Sequence, residues 1–341
     1  MKEGLASCST AFLLGAGFSI DAASEAGYPT LSSSGLKARY PLTGELLEPC
    51  FGITALPQGK SVEDLFQDSV DRRDPRPFSV LCDILMEADY YITPQLKQGG
   101  SRSNNVYTKF LNDFPESPLL TYNYDSLLEV LLLADHSWCP GDGYGVPVEA
   151  FQRTIRCGKQ PVAKSLRPVL HLHGSLCVYA ETFYIEKSRD SGPDMLRFDR
   201  DPQFRFSPEE IGSCFFPFEK VPPRVGYVLP PERVIAPIPD KAEGLKGAFI
   251  EAMYNRSVSE LNKASKIIAI GYSFNPFDRT SYEKLLGAFH GKTVLLVGPE
   301  AKRLAKRLAS EYPNIEWQAE PKSFKEWVIN NYPGVYKHTL G

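Results

Sequence analysis

Short apolar runs, each stopping abruptly at a polar or glycine-rich turn, recur along the chain. Ala11–Leu14 runs into Gly15-Ala16-Gly17, and Pro118–Thr121 into Tyr122–Asp125. Pro168–Leu172 runs into His173-Gly174-Ser175, Lys266–Ile270 into Gly271-Tyr272-Ser273, and Thr293–Val297 into Gly298. Continuous apolar runs of this length predict strands buried on both faces, as in parallel sheets. Between them the period becomes helical. Val62, Leu65 and Phe66 share one face behind Ser61, a plausible N-cap with Asp64 in the capping-box position. Phe78–Ile92, Asn105–Phe114, Ser126–Ala134, Gly244–Ala264, a stretch ending at Phe289, Glu300–Glu311 and Ser323–Asn331 also read as helices. Arg233–Pro237 looks like a further strand, and Trp317 ends a last short one. Strands alternating with helices predict an α/β fold with a Rossmann-like, doubly wound parallel sheet.

Three segments interrupt the alternation. Residues 21–60 are rich in Gly, Pro, Ser and Thr, and read as a binding loop, a lid or a surface excursion. Residues 135–167 are irregular, and 178–233 is aromatic, charged and without a clean period, as expected of an insertion or cover. The expected organisation is therefore a single domain. Its core comes from about 8–20, 115–135, 168–176 and 233–331, and a smaller, mainly helical or irregular lobe from about 21–114 and 178–232.

Composition narrows the classes. The 341 residues carry a formal charge of −3, which argues against a surface that coats nucleic acid. No run approaches the length of a membrane span, and Met1–Leu5 lacks the layout of a signal peptide. Seven scattered cysteines without any Cys-x-x-Cys fit a reducing compartment, so a cytoplasmic protein is expected.

Parallel strands aim their carboxyl ends the same way, so the polar turns that follow them can converge on one cleft. Gly15-Ala16-Gly17-Phe18-Ser19 could bring backbone N–H groups close to a phosphate, or could simply join a strand to a helix. Asn123 and Asp125 suit a ligand site or a helix N-cap. His171 reads as a core or rim histidine, whereas His173, where the strand stops, is the better chemical candidate. The usual dinucleotide fingerprint fails, because Ile20 occupies the third glycine's place and Ser32–Lys37 offers no acid for a ribose. A standard hydride-transfer dehydrogenase is excluded on those grounds.

Gly15-Ala16-Gly17-x-Ser19, Thr121-x-Asn123-x-Asp125, His173-Gly174-Ser175 and Gly271-Tyr272-Ser273 occur in the order and near the spacing seen in sirtuins. The chain resembles most the bacterial sirtuin-like domains, in which a late loop reads Gly-Tyr-Ser-Phe-x-x-x-Asp and here ends at Asp278; Ile235–Lys241 also resembles that group. The resemblance covers about residues 10 to 300. It implies NAD as substrate, cleavage of the nicotinamide–ribose bond to nicotinamide and ADP-ribose, and no metal. It implies that Asp125 holds the carboxamide, that Asn123 orders a water, and that His173 is the base. Gly15, Ala16, Gly17, Ser19, Thr121, Tyr124, Gly174, Gly271, Ser273 and Asp278 would line the nucleotide.

The departures are as informative. The two Cys-x-x-Cys pairs of zinc-bearing sirtuins are missing, with Cys177 and Cys214 standing alone. Tyr122 replaces a glutamine, the stretch after the first turn is reduced to Gly27-Tyr28-Pro29-Thr30, and Gly298 stands where an asparagine often meets the adenine ribose. These losses favour water over a peptide as acceptor. By the same resemblance, such an enzyme is a regulated effector of bacterial antiviral defence, gated by a protein partner or by homo-oligomerisation, with nucleic acid involved only through a partner. The rival readings are a non-catalytic NAD or ADP-ribose sensor, and a protein-lysine deacylase or ADP-ribosyltransferase.

Overall fold

The computed structural model describes residues 9–23, 40–41, 43–72, 106–135, 137–138, 140–145, 149–150, 165–175, 178–186, 195–206 and 248–331, with isolated positions between 74 and 88 and between 235 and 246. In chain order the strands are β1 (Thr10–Leu14), β2 (Leu119–Thr121), β3 (Glu149–Ala150), β4 (Val169–His171), β5 (Val178–Glu186), β6 (Met195–Phe206), β7 (Lys266–Ile270), β8 (Thr293–Val297) and β9 (Glu316–Glu320). The helices are α1 (Ala16–Ala23), α2 (Leu47–Phe51), α3 (Val62–Asp71), α4 (Val106–Asp113), α5 (Leu127–Ala134), α6 (Pro140–Gly143), α7 (Ala248–Lys263), α8 (Arg279–Leu286), α9 (Ala301–Glu311) and α10 (Phe324–Asn331).

Six strands form one sheet in the order β4-β2-β1-β7-β8-β9, and every pairing in it is parallel. Counting only these strands along the chain, the spatial order is 3-2-1-4-5-6. That is the order of a doubly wound sheet, and its switch point lies between β1 and β7, where ligands of such folds sit beyond the carboxyl ends. The apolar runs become strands because both faces are covered: Ala11 to Leu14, Leu119, Leu120 and Ile267 to Ile270 are all buried. Phe12 meets Phe110 and Phe114 edge-on at 4.7 and 4.8 Å, and Phe18 meets Tyr107 at 5.1 Å and Phe324 at 4.7 Å. One aromatic cluster thereby ties β1 and α1 to α4 and α10.

The predicted capping box at Ser61 is present: Ser61 Oγ accepts from the Asp64 N–H at 3.1 Å, and Asp64 Oδ2 accepts from the Ser61 N–H at 2.8 Å. It starts α3, whose Val62, Leu65 and Phe66 pack with Leu46, Leu47, Cys50, Leu81 and Ile84 into a second, smaller core. Asn275 Nδ2 donates to Glu63 Oε1 at 3.1 Å, so this lobe is fastened to the loop that follows β7.

Two segments differ from the sequence reading. Of the expected strand Arg233–Pro237, Arg233, Val234 and Ala236 lie outside the described residues, Pro237 is in a bend, and Ile235 lies in coil with its N–H donated to His173 O at 2.8 Å. Pro237 lacks the donor that a ladder would need there. Within 178–233, β5 and β6 form a long antiparallel hairpin that β3 joins in parallel, a small sheet of three strands. Its register shifts between Glu181 and Phe183, which breaks the alternation that would have revealed a strand. Cys177 and Cys214, and most of residues 21–42, lie outside the described residues.

Candidate functional site

The turns leaving β1 and β7 close the switch point by packing glycine on glycine. A Cβ on Gly15 would stand 2.6 Å from Gly271 O, one on Gly17 2.8 Å from Gly271 Cα, and one on Gly271 2.4 Å from Phe18 N. Gly271 also has φ +62°, a left-handed conformation that favours glycine. The N–H of Gly15 donates to Ile270 O and that of Gly17 to Gly271 O, both at 3.0 Å. These two N–H groups therefore bind protein carbonyls. The Gly-x-Gly is required by this seam in its own right, and Ala16, between the glycines, is exposed.

Beside the seam, Ser19 from α1 and Asn123 and Asp125 from the turn after β2 form one network. Asn123 Nδ2 donates to Gly15 O at 3.0 Å and to Ser19 Oγ at 2.9 Å, and Ser19 Oγ donates to Asp125 Oδ2 at 2.8 Å. The Asn123 N–H donates to Thr121 Oγ1 at 3.0 Å. Both amide protons of Asn123 are thus committed, and Oδ1 is the one remaining polar atom of its side chain, an acceptor. Asp125 also caps α5, because Oδ1 accepts from the Leu127 N–H at 3.2 Å. The capping role expected of Asp125 is thus present, and the same carboxylate holds Ser19. Burial pushes its pKa up to about 6, against the pull of the Ser19 and Leu127 hydrogen bonds; Glu129 adds to the rise and His171 opposes it.

His173 sits in a second cluster. Its Nε2 lies 3.3 Å from Ser281 Oγ and 3.8 Å from Asp278 Oδ1. Ser281 Oγ is also bonded to the Tyr254 hydroxyl. Asp278 accepts from Lys241 Nζ at 2.6 Å and from the Tyr272 hydroxyl at 3.4 Å. Burial lowers the His173 pKa to about 4, Asp278 working against the fall and Lys241 adding to it, so the ring is neutral at pH 7. Tyr122 belongs to this cluster too: its ring stacks on Tyr272 at 4.2 Å and meets His173 edge-on at 4.7 Å.

Behind Asn123, His171, read from the sequence as a core or rim histidine, pairs with Glu129, which the sequence reading did not single out. His171 and Glu129 have no exposed surface. His171 Nδ1 is 3.0 Å from Asn123 O and Nε2 is 2.7 Å from Glu129 Oε1. Tyr144 and Ser175 hydroxyls also donate to that oxygen, at 2.9 and 3.4 Å. Burial acts against the charged ring, yet the adjoining Glu129 carboxylate and the Asn123 carbonyl raise the His171 pKa overall.

The structure thus joins Gly15, Ser19, Thr121, Asn123 and Asp125 in one network, and His173 and Asp278 in another. The Tyr124 hydroxyl donates to Ile235 O at 2.6 Å, and Gly174, at φ +84°, turns the chain after His173. Ser273 is exposed; its carbonyl accepts from Arg307 Nη2 at 3.2 Å, and its side chain joins neither network among the described residues. Sequence reasoning missed Glu129, Tyr254 and Ser281, which lie on helices with nothing in their spacing to mark them. Lys241 could be found only as the end of the Ile235–Lys241 stretch. Among the described residues, no group of three or more His, Cys, Asp or Glu is placed to hold a metal ion, and no helix is long and apolar enough to cross a membrane.

Strand order and switch point define a doubly wound α/β protein with two polar side-chain clusters at the carboxyl ends of its strands. No family model and no curated protein matches the chain. Among solved structures, a Sir2 homologue in complex with NAD aligns over 94% of this chain and 87% of that one, at 15% identity and a TM-score of 0.39. An ADP-ribose complex of a point mutant of a Sir2 homologue aligns over 94% and 89%, at 18% identity and a TM-score of 0.34. Likenesses this slight carry no weight for the site, which stands on its own side chains.

Proposed function

We propose that the chain binds NAD at the switch-point crevice and hydrolyses it to nicotinamide and ADP-ribose. The observation that carries this reading is the Asn123–Ser19–Asp125 network. It fixes an amide with one open acceptor beside a buried carboxylate, at the place where doubly wound sheets bind nucleotides. In the reaction the bond from the ribose C1′ to the pyridinium nitrogen breaks, and its electron pair neutralises that nitrogen. Water attacks C1′ and loses one proton. No general acid is needed for a leaving group that departs neutral, so the protein's work is orientation and stabilisation of an oxocarbenium-like ribose.

Asp125 accepts from the carboxamide NH₂ when ionised, and Asn123 Oδ1 accepts from the attacking water. His173, neutral at pH 7, is the base for that water or for a ribose hydroxyl. Ala16, Gly174, Ser273, Asp278 and Tyr124 line the remainder of the nucleotide. Water rather than an acylated peptide is the acceptor, and the activity is that of a bacterial antiviral effector held in check by a partner protein or by assembly. The test is nicotinamide release from NAD, measured for the chain alone and with the product of a neighbouring gene. Asn123→Ala and His173→Ala should each lower release at least tenfold, the range of a lost positioning or acid–base group. Release that required an acylated peptide would replace hydrolysis with deacylation.

One observation favours a second reading, a sensor that binds NAD or ADP-ribose without cleaving it. His173 is 4% exposed and its Nε2 is held against Ser281. Under that reading NAD binds, no nicotinamide appears under any condition, and His173→Ala leaves affinity unchanged.

A further inference from the structure

His171 and Glu129 play no part in the reaction above, yet they form the most deeply buried charged assembly among the described residues. Two geometric facts define their role. Asn123 O is a carbonyl and can only accept, so the His171 Nδ1 facing it at 3.0 Å must carry a proton. On the other side of the ring, Nε2 faces Glu129 Oε1 at 2.7 Å, and that oxygen already accepts from the Tyr144 and Ser175 hydroxyls. A carboxylate oxygen surrounded by donors leaves the Nε2 proton on the ring. The other oxygen, Oε2, has no hydrogen-bond partner among the described residues, so the carboxylate depends on that one crowded side for its compensation.

The ring therefore connects α5, which carries Glu129, to the peptide group of Asn123. Asn123 is anchored at every other polar atom but one: its N–H on Thr121 Oγ1, its amide protons on Gly15 O and Ser19 Oγ. The His171 Nδ1–H supplies the last anchor, on the carbonyl. We propose that the His171–Glu129 pair is a positioning device for Asn123, in which the Nδ1–H fixes the Asn123–Tyr124 peptide plane so that Oδ1 faces the crevice, while Glu129 fixes the ring. The proposal rests on the reading of Asn123 given above. The charged and titratable groups that face the pair are Asp125 on the turn, Tyr144 after α6 with its ring 6.1 Å from that of His171, and Ser175 beyond β4.

Two substitutions separate the two ends of the ring. An asparagine amide reaches about as far as Nδ1 and a glutamine amide about as far as Nε2. His171→Asn keeps a donor for Asn123 O and gives up Glu129; His171→Gln keeps a donor for Glu129 and gives up Asn123. A positioning role predicts that His171→Gln lowers kcat for nicotinamide release about tenfold, the factor carried by one lost hydrogen bond, with KM within threefold of the wild type. His171→Asn should retain most of kcat while melting at a lower temperature than His171→Gln. Activity then follows the Nδ1 end, and stability the Nε2 end. If activity and melting temperature fall together, with His171→Asn the worse in both, the pair only compensates a buried charge and the proposal is overturned.

A second measurement does not depend on turnover. The chain has five histidines, so histidine-selective ¹⁵N labelling gives few ring signals, and His171→Gln assigns its own by deletion. Protons on both His171 nitrogens at pH 7.5, slow to exchange, are expected. An unprotonated Nδ1 overturns the proposal. Absence of nicotinamide release from the wild type, with both ring protons present, instead overturns the hydrolase reading and leaves the anchor standing.

Discussion

Asp125 gives the sharpest quantitative test, because its two roles have opposite consequences for stability and for chemistry. Its carboxyl is buried and its pKa in the folded chain is about 6, against 3.8 as the ordinary value. The folded state therefore binds a proton more tightly than the unfolded state. Stability from this group is full below the ordinary value and is lost as pH rises through 6. A shift of about 2 units corresponds to about 3 kcal/mol. Asp125→Asn removes the ionisation and keeps the size, but it replaces one acceptor oxygen with a donor. Either the Leu127 N–H or the Ser19 hydroxyl then loses its partner, at about 1 kcal/mol. The variant should be less stable than the wild type by about 1 kcal/mol at pH 4 and more stable by about 2 kcal/mol at pH 7.5. Urea denaturation of both proteins across that range reads the difference directly; contributions from distant titrating groups cancel in it, and those of the adjoining Glu129 and His171 are part of what it reads. A difference that stays flat with pH, or one that runs the other way, would refute the argument that desolvation of this carboxylate dominates. The same variant should lose nicotinamide release, since an amide at 125 no longer accepts in the same way from the carboxamide. A substitution that stabilises the fold at pH 7.5 while ending the activity is the signature of a group kept for function.

Four further outcomes follow from the same geometry. Gly271→Ala places a Cβ against backbone at 2.4 Å in a left-handed conformation, and should destabilise by about 3 kcal/mol or more, read by urea denaturation. Phe12→Ala empties the centre of the aromatic cluster and should cost about 3–5 kcal/mol by the same assay. Ser61→Ala breaks the capping box of α3 at about 1 kcal/mol, and leaves NAD binding by calorimetry unchanged. His173 carries a folded pKa of about 4 below its ordinary 6.5, so its contribution is present above 6.5 and lost as pH falls toward 4. His173→Phe should therefore flatten the loss of stability between pH 6.5 and 4.

Sequence alone determined the sheet and the candidates. The apolar runs at β1, β2, β4, β7 and β8 could be buried only on both faces, and the four polar turns had to lie at one edge because parallel strands end together. The helix at Ser61 was legible because its capping signal is local. What the sequence could not decide depended on partners distant in the chain. Gly15 and Gly17 read as a phosphate cradle, but tertiary packing shows that Gly271, more than 250 residues on, is what excludes a Cβ at both. His171 read as a core or rim histidine, and only folding brings Glu129 from α5 and Asn123 O from the turn after β2 to its two nitrogens. The hairpin of β5 and β6 was hidden by a register shift that removes strict alternation. Local propensity and burial are written in neighbouring residues. Charge compensation, close backbone approach and the order of strands at the switch point arise between residues far apart, and so the tertiary structure decides them.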